Sequence, residues 1–192
     1  LKKLDDLGIA DDTLVVFTTD NGPEKSTWPD GGTTPFRGEK GLGWEGGFRV
    51  PFVIRWPGRI PAGRVLNGIT SHEDVLPTVL AAADVPDIKD RLLAGHEAGD
   101  KTFKVHLDGH NLLPYLAGEA GESPRQEFFY YGESNLFAIR IRNWKAHFEI
   151  KNDWFGGLSY APTVPQPVNL RNDPFEQHMT APAYPNYAVD KL

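Results

Sequence analysis

Cysteine is absent from all 192 residues, which excludes a disulfide frame, a thiolate metal site and a thiol nucleophile. Long apolar runs are missing too, since no segment approaches the roughly twenty residues that a membrane-spanning helix needs. The opening Leu1-Lys2-Lys3-Leu4-Asp5-Asp6-Leu7 lacks the apolar core of a signal peptide, so the compartment stays open. There is no block of like charge, and 20 Lys and Arg against 26 Asp and Glu leave a net charge of -6. That balance argues against nucleic acid as a partner. No internal repeat and no low-complexity tract is present, and the length suits one domain or two small ones with a sizeable core.

What is present is organised around Leu14-Val15-Val16-Phe17-Thr18-Thr19-Asp20-Asn21-Gly22-Pro23. Its β-branched and aromatic run predicts a short strand buried on both faces, of the kind found inside a parallel sheet. The Asx pair, glycine and proline then predict an abrupt turn. Ligands of open α/β sheets collect beyond the carboxyl ends of the strands, where a carboxylate beside an amide oxygen suits a hard cation. Asp20 and Asn21 are therefore candidate metal ligands, although an isolated Asp-Asn-Gly is more often only a turn.

Upstream, Leu4 and Leu7 at helical spacing before Gly8 predict the tail of an amphipathic helix. Residues 22 to 49 are rich in glycine and carry no hydrophobic periodicity, which predicts a long loop packed by Trp28, Phe36, Trp44 and Phe48. Lys40, beside Gly41, can approach an anion, whereas most lysines are solvated surface groups. Glu45 and Arg49 read as an ion pair or as hydrogen-bonding posts of the loop. Residues 51–57 predict a second short apolar strand, placed beside the first. Ser71-x-x-Asp74 forms a capping-box pattern before the apolar helix that runs to Ala83, with Asp74 as an alternative N-cap and His72 bonded locally. Residues 85–105 read as a polar surface excursion. His106, Asp108 and His110 alternate as a strand-borne zinc site would, but without the spacing of a strong zinc motif. Residues 111–118 predict a short helix with a glycine stop. From Gln126 the pattern changes to strands at 128–131, 136–142 and 144–150, with a tight Arg142-Asn143 turn. In the last of these, apolar and polar residues alternate without a fault, which predicts one buried and one wet face. Residues 168–170 can add an edge strand.

Thr18 to Glu24, Phe36-Arg37-Gly38-Glu39-Lys40-Gly41 and Trp44 to Pro51 together resemble the C-terminal-half signature of the formylglycine-dependent sulfatases. So do Ser71 to Thr78, Asp108 to Pro114, Ala138-Ile139-Arg140 with Trp144-Lys145, and Asp173 to Glu176. The order of these motifs over nearly the whole chain carries the resemblance. It implies an α/β fold: a partial alkaline-phosphatase-like sandwich over residues 1–125, mostly parallel sheet with helices. A small, incomplete antiparallel-sheet subdomain over 126–192 would follow. A start in mid-helix, and Pro182 and Pro185 where the family has its C-terminal helix, are what a cut chain would show.

Three site residues follow from the resemblance: Asp20 and Asn21 as calcium ligands and Lys40 as the sulfate contact. The implied activity of the parent is hydrolysis of a sulfate ester by an aldehyde-hydrate nucleophile made from cysteine, less often serine, in a C/S-x-P/A-x-R motif. No serine here fits that motif, since Ser123-Pro124-Arg125 is too short and Ser26 and Ser71 have no arginine four positions on. The nucleophile, its arginine, the remaining carboxylate ligands and the leaving-group acid match positions upstream of Leu1, so the chain alone is expected to be inactive. Family members are often periplasmic, secreted or lysosomal. Two other readings stay open: a phosphodiesterase or phosphonate hydrolase of the same superfamily, and a non-catalytic binding module. The former commonly place a histidine after the aspartate, whereas Asn21 offers an oxygen. A strand at 14–19 without its sheet neighbours would expose an edge prone to self-association.

Overall fold

The computed structural model describes residues 1–178. Among these, the helices are α1 (Lys2–Asp6), α2 (Glu45–Phe48), α3 (Val75–Ala82), α4 (Ile88–Ala94) and α5 (Leu113–Ala117). The strands are β1 (Val15–Thr18), β2 (Phe52–Arg55), β3 (His96–Ala98), β4 (Lys101–Phe103), β5 (Glu127–Gly132), β6 (Asn135–Ile141), β7 (Trp144–His147), β8 (Ile150–Lys151), β9 (Ser159–Tyr160) and β10 (Gln166–Asn169). The chain is thus a mixed α/β protein. It forms two compact units that are discontinuous in sequence, Leu1–Val15 with Ile54–Gln126 and Val16–Val53 with Glu127–Leu192. The expectation that the C-terminal helix is absent or incomplete around Pro182 and Pro185 falls on residues outside those described.

The organising strand forms where the β-branched run predicts it, and β1 pairs with β2 in a two-stranded sheet. Burial on both faces is not found, because Phe17 is 64% exposed and Val16 is exposed as well. Among the described residues β1 pairs only with β2, and a two-stranded ribbon keeps its faces exposed unless another layer packs on them.

In the first unit, α1 ends as the sequence predicts, with Gly8 in the left-handed region at φ 68°. The capping box is present: the Ser71 hydroxyl accepts from the Glu73 amide, and the Ser71 amide donates to Asp74 at 2.8 Å. It opens a 3-10 turn, His72–Asp74, that leads into α3 with Pro77 in its first turn. Asp74 does more than cap. Its buried carboxylate also accepts the His110 amide at 2.7 Å and a two-pronged contact from Arg125, Nε at 2.9 Å and Nη2 at 2.7 Å. Thr78 of α3 reaches the same segment, accepting the Leu112 amide at 2.9 Å. Residues 104–110 are therefore an irregular strap tied to α3, not a strand; His106 Nδ1 lies 3.2 Å from the Asp108 carboxylate, but among the described residues the two do not gather with a third such side chain as a metal site. The excursion at 85–105 is more regular than expected, holding α4 and the β3–β4 hairpin, whose turn places Gly99 at φ 65°. A helical signal was present in Ile88 and Leu92, four residues apart and both buried in α4, but it was short and set among polar neighbours.

The second unit is built on an antiparallel sheet ordered β10-β7-β6-β5. Arg142-Asn143 closes β6 onto β7, with Arg142 at φ 53°, and β10 is an edge strand one or two residues earlier than predicted. The 22–49 loop is irregular apart from the single turn α2. Apart from the buried Gly22, its buried residues begin at Glu39, whereas Trp28 stays exposed.

The alternation in β7 has the predicted period but the opposite phase. Lys145 and His147 are the buried residues, at 0% and 1% exposure, and Trp144 faces outward. The strand also ends at His147, where the amides of Phe148 and Glu149 both reach the Phe137 carbonyl. A polar face goes inside when its charges meet partners there, and the partners lie in the 36–47 loop and at Glu176.

Arg125 and Asp74 supply a direct test of the first unit. Replacing Arg125 with Met leaves the Asp74 carboxylate buried without its main cation, which costs about 3–5 kcal/mol. Urea denaturation of R125M is expected to show a midpoint lowered accordingly with an unchanged slope; a midpoint within error of the parent would refute the assignment.

Candidate functional site

The turn after β1 and the glycine-rich loop meet through their backbones. The Gly22 amide donates to the Gly47 carbonyl at 2.9 Å and the Lys40 amide to the Pro23 carbonyl at 3.0 Å. A third link runs from the Lys25 amide to the Glu39 carboxylate at 2.6 Å. The approach is so close that a Cβ on Gly22 would lie 1.8 Å from the Gly46 carbonyl oxygen, so only glycine fits there.

Of the predicted site residues, Asp20 is exposed at the tip of this turn and Asn21 is half-buried. Asn21 donates from Nδ2 to the Gly22 carbonyl at 2.7 Å. The Lys40 ammonium lies 3.6 Å from Glu24 and 4.6 Å from the centre of the Trp154 ring. The fold thus ties the backbone of Lys40 to the turn that bears Asp20 and Asn21. Among the described residues, no three or more His, Cys, Asp or Glu side chains gather as a metal site. Asp20 and Asn21 are two oxygen donors, a chemically suitable part of a calcium ligand set that takes six to eight.

Behind the loop lies a buried cluster of charge. Lys145 Nζ sits 3.1 Å from Glu45 and 3.0 Å from Glu176, and 3.9 Å over the Tyr130 ring. The ammonium donates to Glu45, forms an ion pair with Glu176 and lies over the ring face. Glu176 also takes the Glu45 backbone amide at 2.7 Å and His147 Nε2 at 2.8 Å. Tyr130 donates to Glu45 at 2.6 Å. The second Glu45 oxygen faces Arg140 at 3.6 Å and, as the motif suggested, Arg49 at 3.9 Å. Burial alone would raise the Glu176 carboxyl, but Lys145, His147 and the amide outweigh it and hold the group at about 2. Burial lowers the His147 imidazole, with Lys145 adding to the effect against the pull of Glu176. The ring is therefore neutral and donates its Nε2–H to Glu176. Burial and the neighbouring Glu45 push the Tyr130 phenol well up.

Further contacts fasten the loop to the same sheet. Trp44 Nε1 donates to the Lys151 carbonyl at 3.0 Å, and Arg37 Nη1 to the Glu176 carbonyl at 3.0 Å. Sequence reasoning placed Glu45 correctly as a post but missed Lys145 and Tyr130 as its partners, and His147 as the partner of Glu176 beside it. The available signal was the pairing of a lysine and a histidine two residues apart within a flawless alternation.

The fold class matches that of solved sulfatases. The structure of PsFucS1 sulfatase from Pseudoalteromonas sp. superimposes with a TM-score of 0.78 at 30% identity, covering 97% of this chain and 37% of that one. Residues 1–85 match the sulfatase family model. The mouse (Mus musculus) steryl-sulfatase is 38% identical over 164 residues, which is 79% of this chain and 24% of that protein. Human (Homo sapiens) arylsulfatase A is 40% identical over 149 residues, 74% of this chain and 26% of that protein. The chain belongs to the sulfatase family, and it spans about a quarter of the length of these curated relatives.

The charge cluster makes stability depend on acid in a defined direction. Both Glu176 and His147 have depressed values in the folded state, so their contribution is present above the unfolded values of 4.5 and 6.5 and is lost as pH falls. Loss begins below 6.5, where only unfolded His147 takes a proton. It steepens below 4.5 and is complete for Glu176 once pH passes about 2. The Glu176 part amounts to about 3 kcal/mol. Urea midpoints measured from pH 7 to pH 2 are expected to fall along this profile, and E176Q to flatten the segment below 4.5. An unchanged acid limb in E176Q would contradict it.

Proposed function

We propose that these residues form part of a sulfuric ester hydrolase, with Asp20 and Asn21 as oxygen ligands of a divalent metal, calcium, and Lys40 as the sulfate contact. The observation that carries this reading is the backbone link from Lys40 to Pro23 at 3.0 Å, which joins the cation to the turn bearing both oxygens. Sulfatase relatives support the reaction class.

With Nδ2 of Asn21 committed to the Gly22 carbonyl, the Oδ1 end of the amide is the one suited to a cation. Lys40 is half-exposed, and its ion pair with Glu24 is long. A sulfate oxygen can replace or join that carboxylate at small cost, since exposed pairs of this kind contribute roughly 0–1 kcal/mol. The ammonium then takes up negative charge that develops on the sulfate as the ester bond breaks. Calcium, when bound, polarises the sulfate oxygens as a Lewis acid. The nucleophile is not supplied by these residues: the chain has no cysteine and no serine in the motif that yields the aldehyde hydrate. Formylglycine chemistry therefore belongs to a part of the enzyme outside the 192 residues, and the isolated chain is inactive on this reading.

Two oxygens do not hold calcium tightly, so calorimetry of this chain should give an affinity no better than about millimolar. Micromolar affinity, or turnover of an aryl sulfate by this chain alone, would overturn the reading. In an active enzyme carrying these residues, K40A is expected to lower kcat/KM for an aryl sulfate by about 10²–10³-fold, and D20A to abolish metal-dependent turnover.

A further inference from the structure

Glu176 holds the loop that carries Lys40 on both sides of that lysine. Its carbonyl accepts from Arg37 Nη1 at 3.0 Å, three residues before Lys40, and its carboxylate takes the Glu45 backbone amide at 2.7 Å, five residues after it. Glu176 does this at φ 53°, in the left-handed region that glycine adopts freely and a side chain disfavours. A glycine would relieve the backbone but has no carboxylate for the Glu45 amide. One buried residue thus offers the loop a main-chain and a side-chain oxygen at once.

Between these two holds the loop is folded onto α2. The Gly46 amide donates to the Arg37 carbonyl at 2.6 Å. A Cβ on Gly47 would lie 2.5 Å from the Glu39 carbonyl oxygen and 2.4 Å from that of Leu42, so α2 nests against the backbone on either side of Lys40. Its last turn also reaches the other half of the site, because the Gly47 carbonyl accepts the amide of Gly22, the residue after Asn21. Backbone contacts therefore lead from Glu176 to Lys40 in one direction and to Asn21 in the other. We infer that Glu176 is a positioning residue of this site, setting where the Lys40 loop stands relative to the Asp20-Asn21 turn. The inference rests on the reading of Lys40, Asp20 and Asn21 as ligand contacts. It differs from a contribution to stability alone, because the oxygen that accepts the Glu45 amide and the charge that faces Lys145 can be removed separately. Glutamine keeps the oxygen and loses the charge; alanine loses both.

Residue-by-residue amide hydrogen exchange of the 192-residue chain, read by NMR in E176A, E176Q and R37M, tests this. In E176A the Gly22 and Lys40 amides are expected to lose about tenfold more protection than the ladder amides of β5 and β6. E176Q weakens the charge cluster but keeps the acceptor, so it should bring the two site amides back into line with the ladder. R37M removes only the contact to the Glu176 carbonyl and leaves the buried carboxylate in place. It should loosen Lys40 selectively, and it carries the test if E176A does not fold. Protection lost equally at Gly22, Lys40 and the ladder, or an E176Q that behaves as E176A does, would overturn the inference. Separate titrations with sodium sulfate, followed at the Gly41 amide, and with calcium chloride, followed at the Asn21 side-chain amide, read the consequence for the site. Both affinities are expected to fall about threefold in E176A and to return in E176Q, as the fraction of binding-competent loop falls and recovers. If K40A leaves sulfate binding unchanged, or D20A calcium binding, the reading of those contacts fails and the positioning role falls with it. If both variants abolish binding while E176A and R37M keep the parent affinities, only the role of Glu176 fails.

Discussion

A lysine with no exposed surface, Lys145, sits between two buried glutamates, and the second unit is arranged to make that tolerable. Removing an ammonium and two carboxylates from water costs several kcal/mol for each ion, and the cost is recovered only when geometry and hydrogen bonding are nearly complete. Here the ammonium donates to Glu45, pairs with Glu176 and lies over the Tyr130 ring. The Glu176 carboxylate meets Lys145, His147 and the Glu45 amide. One position in β7 thereby binds three segments that are distant in sequence: the loop turn α2, the sheet and the Asp173-Pro174-Phe175-Glu176 stretch.

That constraint explains why a loop of nearly thirty residues, with little secondary structure of its own, presents a defined backbone around Lys40. Hydrophobic contacts hold it from one side through Leu42, Trp44 and Ile150, and Phe48 stands edge-on to Phe128 and Tyr130. The charge cluster adds direction that apolar contacts lack, because ion pairs and N–H donors fix orientation as well as distance. The first unit uses the same device on a smaller scale. Asp74 holds the start of α3, the His110 strap and Arg125 with one carboxylate.

Much of this was legible one segment at a time. The Ser71 to Asp74 capping box, the Arg142-Asn143 hairpin, the Gly8 and Gly118 helix stops and the short strand before Asp20 each depend on neighbours within a few residues, and each formed. The burial of β1 was misread because a run of Val and Phe shows that a strand could be buried, not that anything covers it. The β7 phase was misread because alternation gives a period of two and leaves open which set faces inward. Hydrophobicity then favoured Trp144 and Ala146, whereas the charges awaiting Lys145 were roughly 100 and 30 residues away along the chain.

Local spacing and turn chemistry in the amino-acid order thus determined many of the element types, though not α4 or the β3–β4 hairpin, together with the sharp stop after the first strand, the lack of any thiol and the run of motifs shared with sulfatases. Only the tertiary structure decided which face of β7 is inside, that Asp74 serves three segments, and that Lys40 lies between Glu24 and Trp154. The reason is physical: helix caps and turns are satisfied by groups a few residues apart, while a buried charge is acceptable only if folding delivers its counter-charge from elsewhere in the chain.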